Sequence, residues 1–282
     1  MTFIQFLQSL LYGIIEGITE WLPVSSTGHL IILNQLFKIN ETFGDDYWAF
    51  FEVIIQLGAI LAVIVAFFKI LWPFGKSKTH EEKVTTWKLL LNIIIACLPA
   101  AIMGLIFEVT HISDKMDNNV WLVAATLIIY GILFIVIEIF NKKKEFKIDS
   151  VYKFTWKTAL VIGLAQILAL IPGTSRSGVT ILSAMLIGVN REESAKFSFL
   201  LSIPIMLGAS LVKAYSFYKS GTVLTLPMVW FLIVGCITAF IVSIITIKWL
   251  LKFINNHDFK SFGIYRIILG IILIILAIAL KW

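Results

Sequence analysis

Charge is what this chain lacks most. Only 14% of its 282 residues are Asp, Glu, Lys or Arg, against 59% apolar, and the mean hydropathy is +0.95. Soluble domains carry about 25% charged and roughly 45–50% apolar residues. The deficit excludes a soluble enzyme and a disordered chain. Charge clustering is lacking too. The net charge is +6, but the basic residues are dispersed in loops rather than gathered on one face, which excludes a nucleic-acid binder. Cysteine is scarce. Cys97 and Cys236 both lie inside apolar runs, form no metal or redox motif, and read as small buried hydrophobes. Met1 to Gly13 carries no Lys or Arg and no small-residue cleavage site follows, so the first apolar segment is expected to stay in the mature protein.

Long apolar runs are abundant. They lie at about Ala49–Phe68, Leu89–Phe107, Val120–Phe140, Phe197–Tyr218, Met228–Ile247 and Ile264–Leu280. Each is near the ~20 residues that cross a bilayer as a helix. The chain is therefore expected to be an all-α polytopic membrane protein, a single integral domain over 1–282. Two further apolar regions are broken. Phe3–Leu36 is interrupted at Leu22-Pro23-Val24-Ser25-Ser26-Thr27-Gly28, and Thr155–Gly188 at Pro172-Gly173-Thr174-Ser175-Arg176-Ser177-Gly178. Proline stops a helix near the preceding residue, and Ser or Thr caps the next. Each region reads as helix, polar loop, helix, with neither half long enough to span. Such a pair is re-entrant, its loop buried in protein near the membrane middle.

The broken regions align at an offset of 150, held over some 45 residues. Gly13 matches Gly163, and Glu16 matches Gln166. Ser25, Thr27 and Gly28 match Ser175, Ser177 and Gly178, and Leu57-Gly58-Ala59 matches Leu207-Gly208-Ala209. This indicates an internal repeat. Farther on, Cys97/Cys236 and Gly131/Gly270 share an offset of 139, weak evidence by itself. Each repeat, about 1–141 and 151–282, then holds one re-entrant pair and three spanning helices. They are joined by a basic cytoplasmic loop, 141–157. An odd number of crossings inverts the second copy relative to the first.

Lys and Arg favour the cytoplasmic side, which sets the orientation. Under this arrangement 17 basic residues lie inside, in Lys69–Lys88, Lys142–Lys157, Arg191–Lys196 and Lys248–Arg266. Five lie outside, at Lys38, Lys115, Lys213, Lys219 and Lys281. Both termini and the mouth of the first re-entrant pair are thus expected outside, and the mouth of the second pair inside. The run Lys142–Lys144 reads as a topology determinant, with lipid head-group binding as the lesser alternative.

An ionisable group at membrane depth is costly and marks function by default. Glu16 and Glu20 are spaced i, i+4 on one helix face, followed by Ser25, Ser26, Thr27 and His29. In the second repeat Leu170 replaces the second carboxylate and Arg176 replaces Ser26. If the loops meet, Arg176 faces the carboxylates. A structural alternative is a buried ion pair of Arg176 with Glu16 or Glu20 that locks the loops. Ser25, Thr27, Thr174 and Ser177 read equally as helix caps. Taken alone His29 would be a satisfied core histidine. Glu52 and Gln56, again i, i+4, either support the site or lie at the interface. Glu138 reads as interfacial, and His80, His111 and His257 fall in loops without an assigned role.

Two helix N-termini, each after a Gly/Ser/Thr loop, make an anion site. Arg176 adds a bidentate fork suited to phosphate. Carboxylates beside it would repel an anion unless one is protonated or a cation bridges them. Mg²⁺ or Ca²⁺ held by Glu16, Glu20 and substrate phosphates would resolve the conflict. Ser26 supplies a nucleophile and His29 a proton carrier. Phosphoryl transfer on a lipid-tailed substrate is one reading. A transporter of an anionic substrate is the other, because inverted repeats with broken helices are a transporter hallmark.

Glu16-Gly17-Ile18-Thr19-Glu20-Trp21-Leu22-Pro23-Val24-Ser25-Ser26-Thr27-Gly28-His29 and Pro172-Gly173-Thr174-Ser175-Arg176-Ser177-Gly178-Val179-Thr180 resemble the two signature motifs of the bacitracin-resistance type of undecaprenyl-diphosphate phosphatase. Phe51-Glu52-Val53-Ile54-Ile55-Gln56-Leu57-Gly58 is similar to a third family segment, and the likeness runs over essentially the whole chain. The resemblance implies a bacterial inner-membrane hydrolase that converts undecaprenyl diphosphate to undecaprenyl phosphate and inorganic phosphate. It recycles the peptidoglycan carrier lipid and so confers bacitracin resistance. It also implies a divalent cation and functional roles for Glu16, Glu20, Ser26, His29 and Arg176, with Ser175 and Thr180 as lesser candidates. Substrate contacts are expected from Ser25, Thr27, Gly173, Thr174, Ser175, Ser177 and Thr180. A role in moving the carrier lipid across the membrane stays open, as do a phosphoserine intermediate and a homo-oligomer.

Overall fold

A computed structural model of the chain describes residues 1–75, 78–112, 116, 119–141 and 146–280. Lys115, Lys142–Lys144 and Lys281 lie outside the described residues, so the topology reading at those positions rests on sequence. We label the helices α1 (Phe3–Thr19), α2 (Ser26–Phe37), α3 (Ile39–Phe43), α4 (Asp45–Ile54), α5 (Gln56–Ala66), α6 (Phe68–Leu71), α7 (His80–Val109), α8 (Val120–Asn141), α9 (Trp156–Gln166), α10 (Arg176–Leu186), α11 (Arg191–Ser220), α12 (Leu226–Ile254) and α13 (Lys260–Leu280). Among the described residues the one ladder contact is an isolated bridge between Ile148 and Val189.

All six expected spans are present. Asp45–Ala66, α7, α8, α11, α12 and α13 are each long and apolar enough to cross a membrane. The pattern along α7 shows why it forms and how it sits. Thr79 and Glu82 close a reciprocal capping box at its start, satisfying donors the first turn cannot bond internally. Leu91, Ile94, Leu98, Ile102 and Leu105 recur every three or four residues and are exposed, the stripe a lipid-facing helix needs. Leu89, Ile93, Ala96 and Cys97 form the buried opposite face.

Neither broken region contains a helix of spanning length. In the first, α1 ends at Thr19, four residues before Pro23, and the chain turns through Glu20–Val24 before α2. In the second, α9 tightens into a 3₁₀ turn at Ile167–Leu170 before α10. The residues that cap the returning helices, Ser25 and Ser175, both hold φ at 71°. Left-handed backbone at a non-glycine residue is costly and persists where surrounding structure imposes it.

The halves exchange partners. Helix α1 packs on α12, and α9 packs on α7, while α8 pairs with α13. A methyl group added at Gly13 would sit 2.6 Å from the Gly235 carbonyl, and one at Gly163 would collide with the Ala96 carbonyl. Gly13 and Gly163 differ by 150 positions, Ala96 and Gly235 by 139. Both sequence offsets therefore recur in one pair of equivalent helix contacts, where small residues let backbones approach.

The equivalence fails at one place. Gly58 on α5 lies against the Cys236 carbonyl of α12, leaving no room for a side chain. Its counterpart Gly208 on α11 faces open space, with nothing within 4 Å of an added methyl. Gly208 lines the cavity described below.

Two residues depart from the sequence reading. Glu138 is 1% exposed rather than interfacial; it forms a bidentate pair with Arg191 and accepts from the Phe259 N–H at 3.0 Å. Its partners come from α11 and the start of α13, so the helix-end position was no guide. Arg266, counted among the inside loops, is fully buried within α13.

Candidate active site

The two re-entrant loops meet on a cavity of about 520 Å³ between α7 and α11. Its polar wall is made by the cap and first two helical residues of both returning helices, Ser25–Thr27 and Ser175–Ser177. Glu20, Gln56 and Gln166 add to it, and Leu105, Phe107, Leu170 and Val212 form an apolar flank beside Glu108 and Lys213, near the C-terminal ends of α7 and α11.

Arg176, the first residue of α10, spans the junction. Its Nη1 donates to the Ser198 carbonyl at 2.8 Å and its Nη2 to Glu20 Oε1 at 2.7 Å. The guanidinium lies 5.8 Å from the Trp21 ring centre. The other oxygen of Glu20, Oε2, accepts from Ser26 Oγ at 2.8 Å. One carboxylate thus holds a hydroxyl from its own loop and a guanidinium from the opposite loop. Chemically this is an activated hydroxyl beside an anion-binding fork.

The structure brings Glu20, Ser25, Ser26, Thr27, Gln56, Gly173, Ser175, Arg176 and Ser177 onto the cavity wall. Ser175 also caps α10, accepting from the Gly178 N–H at 3.2 Å. Ser25 makes no such cap, and its buried hydroxyl has no partner among the described residues. Glu16, His29, Glu52, Thr174 and Thr180 are not on the wall. Thr180 is buried and bonds Ser198 Oγ at 2.7 Å, tying α10 to α11. The Thr174 hydroxyl is buried without a partner among the described residues. His29 turns the other way: Nδ1 donates to the Ser25 carbonyl at 2.8 Å, and Nε2 pairs with the Tyr265 hydroxyl at 2.7 Å. With Nδ1 protonated, Nε2 is the acceptor and Tyr265 the donor. Glu20, not His29, is the group in contact with the Ser26 proton.

A family model described as bacitracin resistance protein BacA matches residues 9–272. The chain belongs to this family. An undecaprenyl-diphosphatase of Enterococcus faecalis is 48% identical over 274 residues, covering 97% of this chain and 98% of that protein. One from Lachnoclostridium phytofermentans is 49% identical over 272 residues, covering 96% and 97%. One from Lactococcus lactis subsp. cremoris is 48% identical over 282 residues, covering 96% and 97%.

In this BacA-family chain, three residues of the site region escaped the sequence reading. Gln166 is 1% exposed and lines the cavity, and neither polar atom of its amide has a partner among the described residues. The 150-residue offset, which sets it opposite Glu16, was the signal. Arg266 donates to carbonyls of both loops: Pro23 at 3.2 Å, Gly173 at 2.9 Å and Thr174 at 3.0 Å. The signal is an arginine inside the apolar run Ile264–Leu280, masked because Arg266 also closes the segment counted as an inside loop. Tyr265 carried no signal, since tyrosine is common at membrane helix ends.

A divalent cation was expected at Glu16 and Glu20. Among the described residues no three His, Cys, Asp or Glu side chains converge. Glu16 is fully buried one turn before Glu20, and neither of its carboxylate oxygens has a hydrogen-bond partner among the described residues. The orphaned Glu16 carboxylate, with Glu20 once released from Arg176, would offer a hard cation two ligands, the remainder coming from phosphate and water.

Proposed function

We propose that this protein hydrolyses undecaprenyl diphosphate to undecaprenyl phosphate and inorganic phosphate. In the bacterial cytoplasmic membrane this recycles the carrier lipid of peptidoglycan synthesis and confers resistance to bacitracin, which sequesters the diphosphate. The observation that carries the reading is the Ser26–Glu20–Arg176 array, at 2.8 and 2.7 Å, on a cavity with an apolar flank. The names of the relatives point to the same chemistry.

Arg176 and the N–H groups of the two caps take the diphosphate, and the prenyl chain leaves along the apolar flank between α7 and α11. Ser26 Oγ attacks the distal phosphorus, or orients a water that does, and Glu20 Oε2 takes the proton. The P–O bond to the bridging oxygen breaks, and undecaprenyl phosphate is the leaving group. In the serine route a water then releases phosphate. Glu20 must loosen its hold on Arg176 as the substrate arrives, because a carboxylate and a diphosphate repel each other. A divalent cation, Mg²⁺ or Ca²⁺, bound by Glu16, Glu20 and substrate phosphates would offset that repulsion. His29 acts from behind, fixing the Ser25 backbone. The basic-residue bias supports an orientation with both termini outside, in which Glu108 and Lys213, near the C-terminal ends of α7 and α11, lie toward the outer side.

One observation favours lipid transport as a second activity. The helix contact closed at Gly58 is open at its repeat equivalent, Gly208, and exchange between the two would alternate access. Detergent-purified protein separates the readings, since it has no two sides. It should release phosphate from a prenyl diphosphate and lose that activity with EDTA. Lipid movement in liposomes without phosphate release in detergent would overturn the enzyme reading.

A further inference from the structure

Arg266 is a guanidinium buried in a membrane helix whose hydrogen bonds among the described residues go to main-chain carbonyls rather than to a carboxylate. Removing such a charge from water is expensive, so its retention calls for a reason. The identity of its acceptors supplies one. Pro23 lies two residues before Ser25, and Gly173 and Thr174 immediately precede Ser175. These are the segments where each broken helix turns back, and where carbonyls lose their intrahelical donors. One planar fork satisfies three of them, from both loops at once.

Arg266 does not line the cavity; it holds the loops from behind, with its guanidinium 5.7 Å from the Tyr130 ring centre. Its neighbour on α13, Tyr265, bonds His29, and His29 bonds the Ser25 carbonyl. Helix α13 therefore grips the first loop through two adjacent residues and the second through one. In front, the loops are joined by Glu20 and Arg176, the pair that substrate must disturb. The rear contact is the one that stays when the front one opens.

We propose that Arg266 is a positioning residue for phosphoanhydride hydrolysis. It fixes the two strained caps relative to each other, so that Ser26 from one loop and Arg176 from the other address the same phosphate. This rests on the phosphatase reading above. Lysine keeps the charge but offers a point donor where three divergent carbonyls need a fork.

The test uses the full-length protein in detergent, with kcat and KM for a prenyl diphosphate, affinity for a methylene-bridged prenyl diphosphonate, and thermal stability. Arg266→Lys should stay folded and bind the diphosphonate within about threefold of wild type, while kcat falls about 100-fold, the cost of an ångström-scale misplacement. In Arg266→Ala, added methylguanidinium should restore kcat about tenfold or more. A kcat within twofold of wild type in folded Arg266→Lys would overturn the proposal. So would a loss confined to KM and analogue affinity, which would make Arg266 a substrate contact. Activity that merely tracks the folded fraction, without guanidinium rescue, would reduce it to a structural tie. If wild-type protein binds the analogue but releases no phosphate, the phosphatase reading fails instead, and the role of Arg266 in hydrolysis fails with it.

Discussion

Glu20 Oε1 and Arg176 Nη2 stand 2.7 Å apart, although 156 residues separate them in sequence. The pair is the point where two halves of the chain complete one site. Both side chains are nearly buried, at 9% and 12% exposure, so neither charge is fully hydrated. Removing one partner of a buried pair costs roughly 3–5 kcal/mol, because the other charge is stranded. The pair alone therefore fits a phosphate clamp and a structural lock equally.

Lysine and alanine at this position separate the two. As a clamp, Arg176→Lys keeps charge but loses the fork, and turnover falls about 100-fold with thermal stability near wild type. As a lock, Arg176→Ala would be unstable, and Glu20→Gln added to it would recover stability by removing the stranded charge. Phosphate release and melting temperature, measured together on the single and double variants, check this. The expected result is an Arg176→Lys protein that keeps the wild-type melting temperature and loses turnover; an Arg176→Lys protein with wild-type turnover would leave only the lock.

The two carboxylates should behave differently. Glu20→Gln removes the acceptor of the Ser26 proton and should lower kcat about 100-fold or more. Glu16→Gln touches neither Ser26 nor Arg176. It should keep most of kcat at saturating cation while raising the half-saturating cation concentration about tenfold, a loss of about 1.4 kcal/mol in coordination. Cation titrations of phosphate release give the answer. Equal kcat losses in both, without a cation shift, would remove Glu16 from the cation site.

Gly58 and Gly208 are equivalent in the repeat but not in space. Gly58→Ala drives a methyl into the Cys236 carbonyl and should cost about 1–3 kcal/mol, read as a lower melting temperature. Gly208→Ala should leave stability unchanged. Gly208→Trp should narrow the cavity and lower kcat/KM roughly tenfold or more, about 1.4 kcal/mol, with the fold intact.

Much of this was legible in the chain. Six spans were read from apolar runs because hydropathy is a sum over about 20 residues and tolerates local error. The loops were read from Pro23, Pro172 and the serines after them. The meeting of Arg176 with a carboxylate followed from the repeat. Side-chain direction was not legible. Glu16 and Glu20 share a helical spacing, yet the helix ends between them at Thr19, and only Glu20 reaches the cavity. His29 was read with its near neighbours, but its partner Tyr265 lies 236 residues away. Glu138 was misread for the same reason, with Arg191 53 residues distant.

Orientation has its own test. In protein with Cys97 and Cys236 replaced by alanine, a cysteine at Asp45 should react with an impermeant maleimide on intact cells. A cysteine at Lys78 should react only after the membrane is opened. The reverse pattern would move Glu108 and Lys213 toward the cytoplasmic side.

The most direct measurement is inorganic phosphate released from a prenyl diphosphate by detergent-purified protein, wild type beside Ser26→Ala, both shown to be monodisperse. The site predicts cation-dependent release by wild type and a loss of about 100-fold or more in the variant, the scale expected when a positioned reacting group is removed. Release by Ser26→Ala at the wild-type rate, or none from wild type under any cation, would contradict it.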